Sequence, residues 1–252
     1  MKRQKVRQLL LLLSFLLFPV TLFYFSPYLI IQGGAAGIVT GSFIVFAALF
    51  GTSLVFGRAF CGWLCPGGGL QESCRLVADK KIKRKGIRWI KYFLWAPWIA
   101  GIIGAFAAAG GFHAVDFFYM TEHGISAGSL PGLATYFAIV ALIATLALTI
   151  GRRGMCYSIC WMSPFMVFGT LISDKLRLPT LHLQPVPANC TSCGRCTRQC
   201  PMSIEVTAMV NRNDMRNPEC ILCGGCADVC PSSAIHLTFG KKENPRRASK
   251  TA

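Results

Sequence analysis

Four apolar runs, each long enough to cross a bilayer, occupy most of the first 150 residues of this 252-residue chain. They are Leu9–Ile31, Ala35–Phe56, Tyr92–Phe112 and Leu133–Ile150, set against the about 17–25 apolar residues a crossing needs. Hydrophobic residues make up 53% of the chain and charged ones only 14%, where soluble domains carry about 25% charge. The surplus apolar surface has to face lipid, which excludes a purely soluble enzyme. Only Gln32-Gly33-Gly34 separates the first two runs, so a tight helical hairpin is expected there. The first run follows Lys2, Arg3, Lys5 and Arg7 but is too long for a signal-peptide core and lacks a prompt small-x-small site. It reads as an uncleaved anchor.

The 26 Lys and Arg residues, against 10 Asp and Glu, set an orientation. With the N-terminus inside, segment 1–8 carries four of them, 57–91 nine and 151–252 thirteen, which leaves none for the outer loops. Positive residues stay on the cytoplasmic side, so both termini are expected there, in the inner membrane. The net charge of +16 is then an orientation signal, and no nucleic-acid partner is expected. Trp89, Tyr92, Trp95 and Trp98 fall where an interfacial aromatic belt would lie. The uncharged stretch Met155–Ile172 could form a fifth span. We read it as interfacial or re-entrant, because the cysteines that follow need a reducing compartment.

Eight of the thirteen cysteines fall in two identical frames. Cys190, Cys193, Cys196 and Cys200 precede Pro201; Cys220, Cys223, Cys226 and Cys230 precede Pro231, each 30 residues after its counterpart. C-x2-C-x2-C-x3-C-P is the spacing of a bacterial two-cluster ferredoxin, in which the fourth cysteine of each frame serves the other cluster. Cluster one is therefore expected on Cys190, Cys193, Cys196 and Cys230, and cluster two on Cys220, Cys223, Cys226 and Cys200. Zinc also takes four cysteines, but not in this double register. Two 4Fe–4S clusters would also supply the folding energy that so small a module lacks.

Four more cysteines form a second repeat. Cys61 and Cys65 follow Gly57-Arg58 after the second run; Cys156 and Cys160 follow Gly151-Arg152-Arg153 after the fourth, 95 residues later. In a helix, CxxxC puts both thiols on one face. The open readings are a redox-active dithiol, a metal site, thiolates lining an electron path, or small cysteines packed in a collar. Arg58, Arg152 and Arg153 stand where they would favour thiolates. Cys74 has no partner by spacing and reads as structural.

The expected fold is an all-α membrane four-helix bundle over 1–180, a small α+β two-cluster ferredoxin domain over 181–240 and a basic tail over 241–252. These motifs together resemble the polytopic membrane ferredoxin-like proteins typified by the NapH-type subunit of periplasmic nitrate reductase systems. Related modules occur in nitrous-oxide-reductase accessory proteins and CcoG-type oxidase maturation proteins. Cys61-Gly62-Trp63-Leu64-Cys65-Pro66 matches the family's CxxxCP motif, while Cys160 is followed by Trp161-Met162-Ser163 before Pro164. The resemblance implies electron passage between membrane quinol and a redox protein partner. Quinone, and a further metal at Cys61, Cys65, Cys156 and Cys160, are the additional cofactors it brings into view. Two other functions stand beside this one: a maturation factor that reduces a metal or disulfide at the CxxxC thiols, and a sensing or anchoring subunit without turnover. No C-x-x-C-H, P-loop or G-x-G-x-x-G occurs, so neither covalent haem nor a nucleotide site is expected. His113, Asp116, Glu122 and His123 are the titratable groups of the outer loop, where quinol protons would leave.

Overall fold

The computed structural model describes residues 2–82 and 85–241. The basic tail, but for Lys241, lies outside the described residues. The leucine-rich start forms α1 (Lys2–Leu16), followed after Leu17 by α2 (Phe18–Thr21) and a single 3-10 turn, Leu22–Phe25. The axis turns by 57° between α1 and this second piece. Pro19 lies in the first turn of α2 and Pro27 opens α3 (Pro27–Ala35). A proline ring is accepted at a helix start and rejected from its interior, so the expected single span Leu9–Ile31 becomes three pieces. Ser26 caps α3 by accepting a hydrogen bond from the Leu29 amide at 3.4 Å.

Gln32-Gly33-Gly34 is not the hairpin connector but part of α3. The turn comes at Ala36 and Gly37, whose φ of +66° suits glycine. Gly33 serves packing instead, since a Cβ there would overlap Thr40. β1 (Ile38–Thr40) then leads into α4 (Gly41–Phe56), which Thr40 caps. Gly57, at φ +53°, ends that helix. Two short helices follow, α5 (Ala59–Trp63) and α6 (Pro66–Cys74), then the long α7 (Arg88–Ala108). β2 (Ala114–Asp116) lies parallel to β1, with Ile38 opposite Ala114. The outer-loop group Asp116 therefore sits on a paired strand, and its carboxylate accepts from the Phe118 amide.

α8 (Leu130–Thr149) is the second long apolar helix. α7 and α8 are long and apolar enough to cross a membrane, and α1 with its bent continuation would make a third crossing. α4, at 16 residues, is shorter. The run Met155–Ile172 is divided between α9 (Gly154–Ser158) and α10 (Met162–Leu176). α10 packs along α4, where Gly169 lies against Ser53; α3 packs on α7, and α6 lies between α1 and α8.

The last third is a small α+β unit. β3 (Thr180–Pro185) pairs antiparallel with β4 (Ile235–Gly240), and α11 (Arg195–Gln199), α12 (Val206–Asn211) and α13 (Gly225–Asp228) lie between them in sequence. Leu183, Val206, Met209, Val210, Met215, Leu222 and Ile235 form its core.

Candidate redox centre

The 30-residue repeat of the sequence is also a repeat of backbone. Ser192 and Leu222, Gly194 and Gly224, and Ser203 and Ser233 all have positive φ, at 54° and 48°, 71° and 70°, and 55° and 53°. Gly194 and Gly224 each open a one-turn helix, α11 and α13. The two loops fold alike and lean on one another. Cys190, Cys193, Cys196 and Cys230 line one small cavity; Cys200, Cys220, Cys223 and Cys226 line another. Their surroundings differ. Burial pushes the Cys200 thiol up to about 11 and the Cys220 thiol up to about 12. Cys193 is exposed, and the Arg195 amide beside it lowers its thiol. Of the eight, Cys193 is the exposed one; in the second cavity Cys223 and Cys226 are buried while Cys200 and Cys220 are half-buried.

The CxxxC motifs are not continuous helix. α5 stops after one turn, and the Leu64 and Cys65 amides both donate to the Phe60 carbonyl, at 2.9 and 3.0 Å. The echo repeats this: the Ile159 and Cys160 amides both donate to the Met155 carbonyl, at 3.1 Å each. In both, the first cysteine sits within a short helix and the second just before the next one. Pro66 accounts for the break in the first motif. The second makes the same turn with no proline at that position. All four thiols are buried, at 4% exposure for Cys61, Cys65 and Cys156 and 5% for Cys160.

The turn brings the two motifs to one place. Gln71 donates to the Cys156 sulfur at 3.2 Å and accepts from the Met155 amide at 3.0 Å, joining one repeat to the other. Cys61 Sγ lies 3.5 Å from Met166 Sδ. Burial pushes the Cys65 thiol well up, and charge at Cys61, Cys156 and Cys160 adds to it. Burial, with charge at Cys156 and Cys61, likewise takes Cys160 up to about 12. Cys74 lies apart, half-buried beside the cluster around Phe18 and Leu70, as its structural reading expects.

Two buried ionic networks flank the thiols. Arg153 contacts Glu72 at 2.9 Å, and Arg7 of α1 reaches the same carboxylate at 2.9 Å. Arg153 also donates to the Cys61 carbonyl at 2.6 Å. Its counterpart 95 residues earlier, Arg58, contacts Glu219 at 2.8 Å, and Lys91 reaches that carboxylate at 2.7 Å. Two cations share one carboxylate in each network. Arg58 Nε and one of its terminal nitrogens have no hydrogen-bond partner among the described residues. Arg152 does not face the thiols: it binds Asp79 and donates to the Arg198 and Cys200 carbonyls at 2.6 and 3.1 Å.

Burial alone would raise the Glu72 carboxyl, but Arg153 and Arg7 outweigh it and hold it at about 2 rather than 4.5. A lowered carboxyl stabilises the fold fully above the unfolded value. Stability from this group is therefore expected to be complete above pH 4.5 and lost as pH falls towards 2, about 3 kcal/mol in all. Acid also strips cluster sulfide, so the check is made at neutral pH, where the contribution is complete: Glu72→Gln should lower the thermal unfolding midpoint in detergent.

The second cavity is the one nearer the CxxxC turns. Cys61, Cys223, Ile221, Met202 and Met166 share one buried cluster, with Cys200 packed against it. Gly62 allows the approach, since a Cβ there would overlap the Ile221 carbonyl. The Trp63 indole donates to the Leu222 carbonyl at 3.1 Å, and Gln4 donates to the Cys223 carbonyl at 2.9 Å. Arg3 closes the rim on Asp228 at 2.6 Å. None of Glu72, Glu219, Lys91 or Gln71 stands out in the sequence; the available signal was that acidic residues are few, so one lying near an apolar run has to be matched.

Known proteins point the same way. A family described as "4Fe-4S binding domain" matches residues 38–85, and one described as "4Fe-4S dicluster domain" matches 189–235. Among relatives, the Escherichia coli protein YccM, whose name gives it a provisional electron transport role, is 26% identical over 84% of this chain. The chain spans 59% of that protein's length. The methylamine utilization ferredoxin-type protein MauN of Methylorubrum extorquens is 25% identical over 87% of this chain and 76% of its own. An uncharacterized Methanocaldococcus jannaschii protein, MJ0750, is 24% identical over 83% of each. No solved structure matches. The dicluster match over 189–235 supports two 4Fe–4S clusters, and the names of YccM and MauN, electron transport and ferredoxin-type, are in keeping with iron–sulfur electron transport.

Proposed function

We propose that the chain is a membrane-bound relay that passes electrons between the quinone pool and a redox protein partner. The observation that carries this is the close approach of Gly62 to the Ile221 carbonyl, inside one buried cluster that holds Cys61, Ile221 and Cys223 and so joins the segment after α4 to the dicluster unit. Cys200, Cys220, Cys223 and Cys226 would hold the membrane-proximal cluster, and Cys190, Cys193, Cys196 and Cys230 the distal one, open to a partner at Cys193. When bound, such clusters exchange single electrons. The chain's own part is to hold them in order and to leave the outer one accessible at Cys193.

On this reading α7 and α8 cross the membrane, α1 to α4 complete the embedded part, and both termini face the cytoplasm. A groove of about 380 Å³ lined by Phe46, Trp95, Trp98 and Phe165 supports quinone as the membrane reactant. It adjoins the cluster that contains Cys65 and Cys160, and the Trp95 indole N–H is buried there without a partner among the described residues. An aromatic slot with a free donor suits a quinone ring and its carbonyl.

The test is Cys61→Ser with Cys65→Ser in the full chain. Dithionite-reducible absorbance of the dicluster unit should persist, because its eight cysteines are untouched. Quinol-driven reduction in liposomes should fall at least tenfold. Unchanged quinol-driven reduction would remove the thiols from the path, and tight copper binding that needs them would favour the maturation reading instead.

A further inference from the structure

Resting on the relay reading, we propose that Cys61, Cys65, Cys156 and Cys160 together hold a third iron–sulfur cluster of cubane type. The first support is position. Two matching turns, 95 residues apart, bury four thiols, two from each repeat, near enough that charge on one acts on the others. Among the described residues no three His, Cys, Asp or Glu side chains converge as the ligands of one mononuclear ion do. That holds for the eight dicluster cysteines too, since a cube of irons and sulfides keeps its thiolates wide apart.

The second support is charge. Arg58, Lys91 and Glu219 form one buried group, and Arg153, Arg7 and Glu72 another, each with two cations to one anion. Each group carries one uncompensated positive charge beside the thiols, and buried charge of that kind is retained only where something matches it. Four protonated thiols offer nothing. Four thiolates around an oxidised cubane, with a core charge of plus two, give a net charge of minus two, and the four thiol protons leave to solvent on loading. The third support is Arg58, which is 1% exposed. Its Nε and one terminal nitrogen have no oxygen acceptor among the described residues and lie beside Cys61 and Cys156, whose thiolate sulfurs would accept from them. The 4Fe–4S family match over 38–85 contains none of the eight dicluster cysteines, but does contain Cys61 and Cys65.

The full chain, purified anaerobically and reconstituted with iron and sulfide, is expected to hold about twelve irons and about twelve acid-labile sulfides, from three cubanes. Cys61→Ser with Cys156→Ser should lower both by one third, with a matching loss of visible absorbance and of one reduced-cluster signal in electron paramagnetic resonance. About eight irons in the unaltered chain, or stoichiometric zinc or copper released only when the four thiols are present, would overturn the proposal. The unaltered chain decides the matter even if the double variant fails to fold. Eight irons with normal quinol-driven reduction would remove the third cluster and keep the relay; twelve irons without quinol-driven reduction would do the reverse.

Discussion

Replacing Glu219 with glutamine is expected to destabilise the chain by about 3–5 kcal/mol, because it leaves two buried cations without their counter-charge. Arg58 and Lys91 are both 1% exposed and both lean on this one carboxylate, at 2.8 and 2.7 Å. Burial alone would raise the Glu219 carboxyl; Arg58 and Lys91 overcome that and keep it lowered and ionised. The bond also joins two regions, since Arg58 follows α4, Lys91 lies in α7 and Glu219 directly precedes Cys220. The variant should therefore loosen the dicluster unit first. The unfolding midpoint in detergent and proteolysis between 176 and 220 would both report it. Adding Lys91→Met should recover part of the loss, because an apolar side chain there needs no counter-charge. A loss of under about 1 kcal/mol would mean that water reaches this network and screens it.

Gly62→Val is expected to have the largest effect on electron passage of any single substitution that leaves every cysteine in place. The Cβ of any side chain at 62 would overlap the Ile221 carbonyl, a backbone atom that cannot rotate aside. Overpacking of this kind costs about 1–3 kcal/mol, but the functional cost is greater. The α5 turn and the loop of Cys220 to Cys226 have to move apart, and water enters between them. Dithionite reduction of the clusters should be nearly unchanged, while quinol-driven reduction should drop at least tenfold. Trp63→Phe tests the same seam more gently: it removes one hydrogen bond to Leu222, worth about 1 kcal/mol, and should slow the transfer only slightly. If Gly62→Val left quinol-driven reduction intact, electrons would have to enter the dicluster unit elsewhere.

Several elements were legible because they are local. Within each C-x2-C-x2-C-x3-C-P frame the first three cysteines line one cavity, because a few residues of loop with Gly194 or Gly224 leave the backbone little choice, while the fourth cysteine lines the other cavity. The 95-residue repeat was also visible, and the backbone makes the same turn at both motifs. The helix breaks were written in Pro19, Pro27 and Pro66, but hydropathy averaged over a window hides them, so Leu9–Ile31 looked continuous. Gly33 and Gly34 misled for a related reason: glycine marks a turn and a tight contact equally well, and only the neighbouring Thr40 tells which.

What the sequence by itself determined is therefore the ligand spacing, the two repeats and the excess of positive charge, all of which act over a turn or a loop. What only the tertiary structure decided is which groups meet: Arg7 with Glu72, Arg58 and Lys91 with Glu219, and Gly62 with Ile221. These partners are 65, 161, 128 and 159 residues apart. A buried charge has to find an opposite charge at contact distance, and nothing in the spacing of residues along a chain says which of ten acids will reach it once the helices have packed.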